Sequence, residues 1–291
     1  MRLYRDFETQ EQIDAEYDLE SVLDMASYGE WMVEAANSTR RDLAGELRIP
    51  YGPTLDEFVD VFPSQTPGSP VLVFIHGGWW RSMQSTDFHM VARGPVDLGV
   101  TVVMVNYSLC PKVSVSEITR QNRAALAWTY RNIERFNGDP DAIVIAGHSA
   151  GGHQVGMLSV TDWVGEYGLP SDIVKGGVPI SGLFDLRPFR YSWLQPKLLL
   201  THETIVRESP IDLVATSPQL PPLLVTLGGD ESAEFHRQSR EFMEVWARFG
   251  GEATAFDQPG KDHISAIAGL EHADSDFCRA VVDFTRAHTH A

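Results

Sequence analysis

Ile143-Val144-Ile145-Ala146-Gly147-His148-Ser149-Ala150-Gly151-Gly152 joins two kinds of sequence. Its first four residues are apolar and read as a short buried strand. From His153 to Val160 the pattern becomes helical. Between them stands G-x-S-x-G, as Gly147-His148-Ser149-Ala150-Gly151. A strand that turns sharply into a helix strains the backbone at the tip and lifts that side chain clear of the sheet. Residues two before and two after the tip must be very small, or their side chains would collide across the turn. Both are glycine. Ser149 is thereby a candidate nucleophile. The motif alone is short and common, so the strand before it and the helix after it give it weight.

Outward from this turn the chain alternates strand and helix. Val71-Leu72-Val73-Phe74-Ile75 is a continuous apolar run, as in a strand covered on both faces. Further strands are predicted at 100–105, 178–182, 223–227 and 253–256, with an edge strand within 55–62. Helices are predicted within 86–98 and over 116–136, 234–249 and 265–288. Residues 10–46 suggest one or two N-terminal helices lying on the main domain, ended by Pro50-Tyr51-Gly52-Pro53. Residues 183–219 are irregular and read as a small cap above the sheet. The pattern is an α/β fold with a mostly parallel central sheet flanked by helices, in one domain over 1–291. Ligands of such sheets bind at the carboxyl ends of strands. The residues singled out below stand there.

A serine needs a base to take its proton, and the base needs an acid to orient it. In this order of elements the acid follows the serine and the histidine comes last. His263 lies in the loop after the last predicted strand and fits the base. Asp230 and Glu231 both lie just beyond the strand ending near Leu227, and either could hold the imidazole. Charge that develops on a carbonyl oxygen needs preorganised amides. One is the N–H of Ala150; the others should come from His76-Gly77-Gly78-Trp79, with Gly77 and Gly78 letting the backbone approach closely. His76 is expected to brace that loop. Trp79 and Trp80 are candidates for lining the substrate pocket; neighbours in an extended chain point opposite ways, so one should pack inward. No metal-ligand spacing or phosphate loop is present, and no cofactor is expected.

Composition narrows the partners. The 291 residues carry 23 Lys and Arg against 40 Asp and Glu, a formal charge of −17. Such a surface repels nucleic-acid backbones and anionic membranes, so the expected partner is a small molecule. A homodimer stays open. The two cysteines, Cys110 and Cys278, read as reduced, partly buried thiols. No apolar run is long enough for a membrane span, and the first residues lack the apolar core of a signal peptide, so a cytoplasmic location is expected.

With these residues in place the chain resembles the α/β-hydrolase superfamily, and within it the arylformamidase (kynurenine formamidase-like) and esterase branch. The resemblance rests on His76-Gly77-Gly78-Trp79-Trp80, on Gly147-His148-Ser149-Ala150-Gly151-Gly152, and on Glu231-Ser232-Ala233-Glu234-Phe235-His236-Arg237-Gln238-Ser239. Ile13-Asp14-Ala15-Glu16-Tyr17 and the Tyr51-Gly52 step are also similar. It implies a metal-independent serine hydrolase that cleaves a small ester or N-formyl aryl amide through an acyl-enzyme. The alternatives are a general carboxylesterase without formamidase activity, or a non-catalytic ligand-binding protein on the same fold. The family pattern places its carboxylate at Glu231 in preference to Asp230. Ile264 after His263, where the family often has Phe, and the cap both depart from the family and bear on substrate choice.

Overall fold

Alternation along the central strands divides their side chains between two cores, with Leu223 and Val225 adding to a third. The strands of the computed structural model, which describes residues 2–289, are β1 (Glu46–Pro50), β2 (Phe58–Phe62), β3 (Ser69–Ile75), β4 (Thr101–Val105), β5 (Gly138–His148), β6 (Gly176–Ile180), β7 (Leu223–Gly228) and β8 (Ala253–Gln258). They form one sheet in the order β1-β2-β4-β3-β5-β6-β7-β8. β2 runs antiparallel to both β1 and β4, and every other neighbouring pair is parallel. Val71, Val73 and Ile75 join one core, with Val103, Ile143 and Ile145. Leu72 and Phe74 join the other, with Val102, Met104, Val144 and Ala146. Burying such a side chain on either face contributes roughly 1.5–3 kcal/mol. A strand apolar at every position is therefore one that helices cover on both sides.

On the first face pack the helices Val115–Asn132 and Ala150–Ser159, through Ile118, Leu126, Val155 and Leu158. On the second pack the helices Met25–Asp42 and Asp276–Thr289, through Met32, Phe277, Val281 and Val282. Local chemistry sets the helix ends. Asp24 accepts the N–H of Ser27, and Ser114 accepts that of Glu117 at 3.2 Å. These are N-caps that satisfy otherwise orphaned donors.

Three segments differ from the sequence reading. The N-terminal helices are Gln10–Tyr17 and Met25–Asp42, and residues 46–50 form the edge strand β1. β1 is exposed along most of its length, so it carries no buried face and no hydrophobic period. β2, read as an edge, is thus an interior strand. The predicted helix over 265–288 is broken into a 3-10 turn, Ser265–Glu271, and the helix Asp276–Thr289, with Ser275 Oγ accepting the N–H of Cys278 where the second piece starts. Likewise 86–98 holds a 3-10 turn, Ser85–Ala92, and a short helix, Arg93–Asp97. Both cysteines are buried and free. Among the described residues no helix is long and apolar enough to cross a membrane.

Candidate active site

Three loops at the carboxyl ends of β3, β5 and β8 meet at one cavity of about 630 Å³, and the loop after β7 stands behind His263. Ser149 follows β5 directly, with φ 57° and ψ −116° at the start of the helix Ala150–Ser159. Left-handed φ at a serine is strained and is tolerated where the surroundings enforce it. They do so here. The Ser149 N–H donates to the Ile180 carbonyl at 2.8 Å, and a Cβ on Gly151 would sit 2.0 Å from the Ile75 carbonyl oxygen. A Cβ on Gly147 would sit 2.4 Å from the Gly151 oxygen. The turn closes because both positions lack side chains.

His263 lies in the loop after β8 and is 2% exposed. Its Nδ1 hydrogen-bonds Glu231 Oε2 at 2.7 Å. The other carboxylate oxygen of Glu231 accepts from Ser181 Oγ at 2.5 Å and from the Gly228 N–H at 2.7 Å. This carboxylate is therefore held from three directions. Asp230, the alternative carboxylate, is exposed, and its N–H pairs with the Lys261 carbonyl. Its carboxylate makes no hydrogen bond to His263 among the described residues. Ser181, with φ 51° at the end of β6, was not singled out from sequence. Its place after a strand, in Ile180-Ser181-Gly182, was the signal for it.

The His263 imidazole is held on its faces too, by Phe235 and His148 with ring centroids at 4.6 Å and by Trp79 at 6.4 Å. His148 Nε2 donates to the His263 carbonyl at 2.8 Å. Burial, together with the neighbouring His263, pushes the pKa of His148 well below the ordinary histidine value, so it stays neutral. Ser149, His148 and His263 all line the cavity.

The loop after β3 shows how carbonyls can aim amides. Three successive carbonyls are engaged. That of His76 accepts from Tyr107 Oη at 2.9 Å. That of Gly77 accepts from His76 Nδ1 at 2.7 Å. That of Gly78 accepts from the N–H groups of Arg81 and Ser82 at 3.0 Å each. In a trans peptide the N–H points opposite to its carbonyl. The N–H groups of Gly77, Gly78 and Trp79 are thus turned away from these partners, and none meets a protein acceptor among the described residues. Gly78 has φ 108° and lines the cavity, and the Ala150 N–H opens a helix where no intrahelical acceptor exists. The His76 ring stacks on Tyr107 at 4.1 Å, and burial lowers its pKa to about 4.

Of the two tryptophans, Trp79 lines the cavity. Trp80 is fully buried behind it and does not, which corrects its assignment to the pocket. Its indole Nε1 donates to His153 Nδ1 at 3.2 Å. The cover of the cavity also differs from the sequence reading. From 183–219, read as the cap, Trp193 lines it, whereas Asp14, Asp18, Leu19, Glu20, Met25 and Met32 come from the N-terminal segment. Sequence periodicity marked 10–46 as helical but gave no sign of what it covers. Among the described residues no three His, Cys, Asp or Glu side chains cluster as a metal site requires.

The BD-FAE family profile matches residues 59–245, which carry the β3 loop, Ser149 and Glu231. Kynurenine formamidase of Salmo salar is 30% identical over 237 residues, 78% of either chain. Esterase LipQ of Mycobacterium tuberculosis is 28% identical over 84% of this chain and 63% of its own. A crystal structure from Silicibacter sp. covers 96% of this chain and 99% of its own, at 27% identity and a TM-score of 0.80. The strand order, the cavity at the strand ends and these similarities agree: the chain belongs to the BD-FAE family of the α/β-hydrolase superfamily, on its arylformamidase and esterase branch, and is a hydrolase.

Proposed function

We propose that this chain is a serine hydrolase that cleaves small carboxylic esters and N-formyl aryl amides through an acyl-enzyme. The observation that carries this reading is the 2.7 Å hydrogen bond from His263 Nδ1 to Glu231, with His263 and the strained Ser149 lining one cavity. With Nδ1–H donated to the carboxylate, Nε2 is the basic edge of the ring. Ser149 Oγ attacks the substrate carbonyl carbon while Nε2 takes its proton. The Gly77, Gly78, Trp79 and Ala150 N–H groups supply donors for the oxyanion, each worth about 3 kcal/mol where it is engaged. Collapse breaks the C–O or C–N bond, and the imidazolium gives its proton to the leaving alcohol or amine. Water then attacks the acyl- or formyl-serine with Nε2 again as base. This releases the acid and restores the hydroxyl.

The aromatic and thioether side chains of Trp79, Trp193, Phe88, Met25, Met32 and Met83 around the cavity suit an aryl group. Of the two curated relatives described above, one is a formamidase by name and the other an esterase. These names support reading both bonds as substrates of one site. A serine-reactive phosphonate should label Ser149, and turnover of formanilide should be compared with that of 4-nitrophenyl acetate. Formanilide turnover within about tenfold of the ester supports the formamidase reading. Fast ester turnover with none of the formamide assigns a general carboxylesterase. No labelling and no turnover would leave a ligand-binding protein.

A further inference from the structure

Base and nucleophile leave the sheet three strands apart. Ser149 follows β5 near the centre, and His263 follows β8 at the border. The path between them through the sheet crosses three pairings, β5 with β6, β6 with β7 and β7 with β8. A shift at any one of them would move the imidazole relative to the hydroxyl, and a site works only when its groups are held within about 0.5 Å.

One side chain shortens that path. His148 ends β5, pairs with Ile180 of β6, and stands directly before Ser149. Its buried ring crosses to the base, where Nε2 donates to the His263 carbonyl at 2.8 Å and the ring centroids lie 4.6 Å apart. A carbonyl only accepts, so the proton sits on Nε2 and Nδ1 is bare. Nδ1 is buried and has no hydrogen-bond partner among the described residues. Gly77 lies against it: a Cβ there would stand 3.1 Å from Nδ1 and 2.9 Å from the His148 carbonyl oxygen. A second ring proton would point at no acceptor. His148 thus touches the base, adjoins the nucleophile, and is flanked by the loop of proposed oxyanion amides.

We propose that His148 is a positioning residue, which fixes the distance from Ser149 to His263 and does not itself exchange a proton. The proposal rests on the hydrolase reading, since it concerns how that site is aligned. The residue type fits the task. A carboxylate at this position could not donate to the His263 carbonyl. A lysine or arginine could, but it would hold a charge beside an imidazole that becomes cationic when it takes the Ser149 proton. Burial keeps His148 neutral, so its donor comes without that charge.

The test replaces His148 by Leu, Asn and Gln and reads kcat and KM on 4-nitrophenyl acetate and formanilide. Glutamine carries its amide nitrogen about as far from the backbone as histidine carries Nε2, whereas the nitrogen of asparagine stops short. His148→Leu and His148→Asn should lower kcat by about 100-fold, with KM within about threefold of wild type. His148→Gln should stay within about tenfold in kcat. The melting midpoint of each variant separates this from general damage, because a merely structural role would follow stability and not the reach of the donor. The far-downfield proton resonance of His263 Nδ1 should remain in all three, since Glu231 still holds that edge of the ring. A wild type inactive on both substrates would defeat the hydrolase reading and this role together. An active wild type whose kcat survives His148→Leu, or a Gln variant as slow as the Asn one, would overturn the role of His148 alone. Loss of the downfield resonance in His148→Leu would overturn it too, by moving the effect to the pairing with Glu231.

Discussion

The loops beneath the cavity and the segments above it are held by different means. Beneath, Ser149 and Glu231 follow buried parallel strands and His263 follows the border strand β8, and backbone groups fix them: Ser149 through the Ile180 carbonyl, Glu231 through the Gly228 N–H, His263 through its own carbonyl. Above, the N-terminal segment is tied on by side chains. Tyr17 Oη donates to Glu234 at 3.1 Å, Tyr28 Oη to Asp262 at 2.5 Å and Trp31 Nε1 to Glu271 at 3.0 Å. Bonds of that kind contribute about 1 kcal/mol each, whereas strand pairing is cooperative with the whole sheet. On the proposed reading the lower half carries the chemistry, and the upper half, tied on by fewer and weaker bonds, forms the wall that a substrate meets.

Substitutions can break this contrast. Ser149→Ala should lower kcat by about 10⁴-fold or more while leaving the circular dichroism spectrum unchanged. A protein that kept its rate would remove the lower half from the chemistry. Glu231→Ala should cost about 10³-fold in kcat, because the imidazole loses the group that sets its tautomer, while Asp230→Ala should stay within about twofold. Equal losses at the two positions would contradict the geometry.

Acid should weaken the lower half next. Burial depresses His76 and His153 from the ordinary value of 6.5 to about 4. Above 6.5 both are neutral, folded or unfolded. As pH falls from 6.5 toward 4, the unfolded chain takes up protons that the folded chain refuses, so stability is lost in that window. Each histidine removes up to about 1.4 kcal/mol per pH unit there. The urea midpoint should drop between pH 7 and pH 4.5, and His153→Gln should flatten that drop. The smallest effect belongs to the upper half. Tyr28→Phe loses one hydrogen bond to Asp262, worth about 1 kcal/mol, and should raise KM several-fold with kcat nearly kept. A large fall in kcat would show that the N-terminal segment also positions His263.

The same contrast separates what the sequence reveals from what it conceals. Ser149 and the glycines around it were legible because a strand-to-helix turn has steric demands that few residue types meet, and His263 because it stands in the loop after the last predicted strand. Glu231 and Asp230 could not be separated by local pattern, since adjacent carboxylates in a turn differ in direction and not in type; the family resemblance was needed to favour Glu231. Trp80 and Trp79 pose the same problem, and both adopt left-handed φ near 55°, which no propensity announces for tryptophan. β1 was missed because an exposed edge strand has no buried face. The cover was misplaced because amphipathic spacing says that a helix packs, not against what.

β8 pairs with one neighbour, β7, at the border of the sheet, and Glu231 and His263 hang from the ends of these two strands. Their 2.7 Å contact is therefore a gauge of how those strands are aligned. A slip of one residue would carry the imidazole about 3.3 Å along and out of reach. Border pairings loosen before central ones, so mild denaturant should silence the enzyme while its ellipticity is still intact.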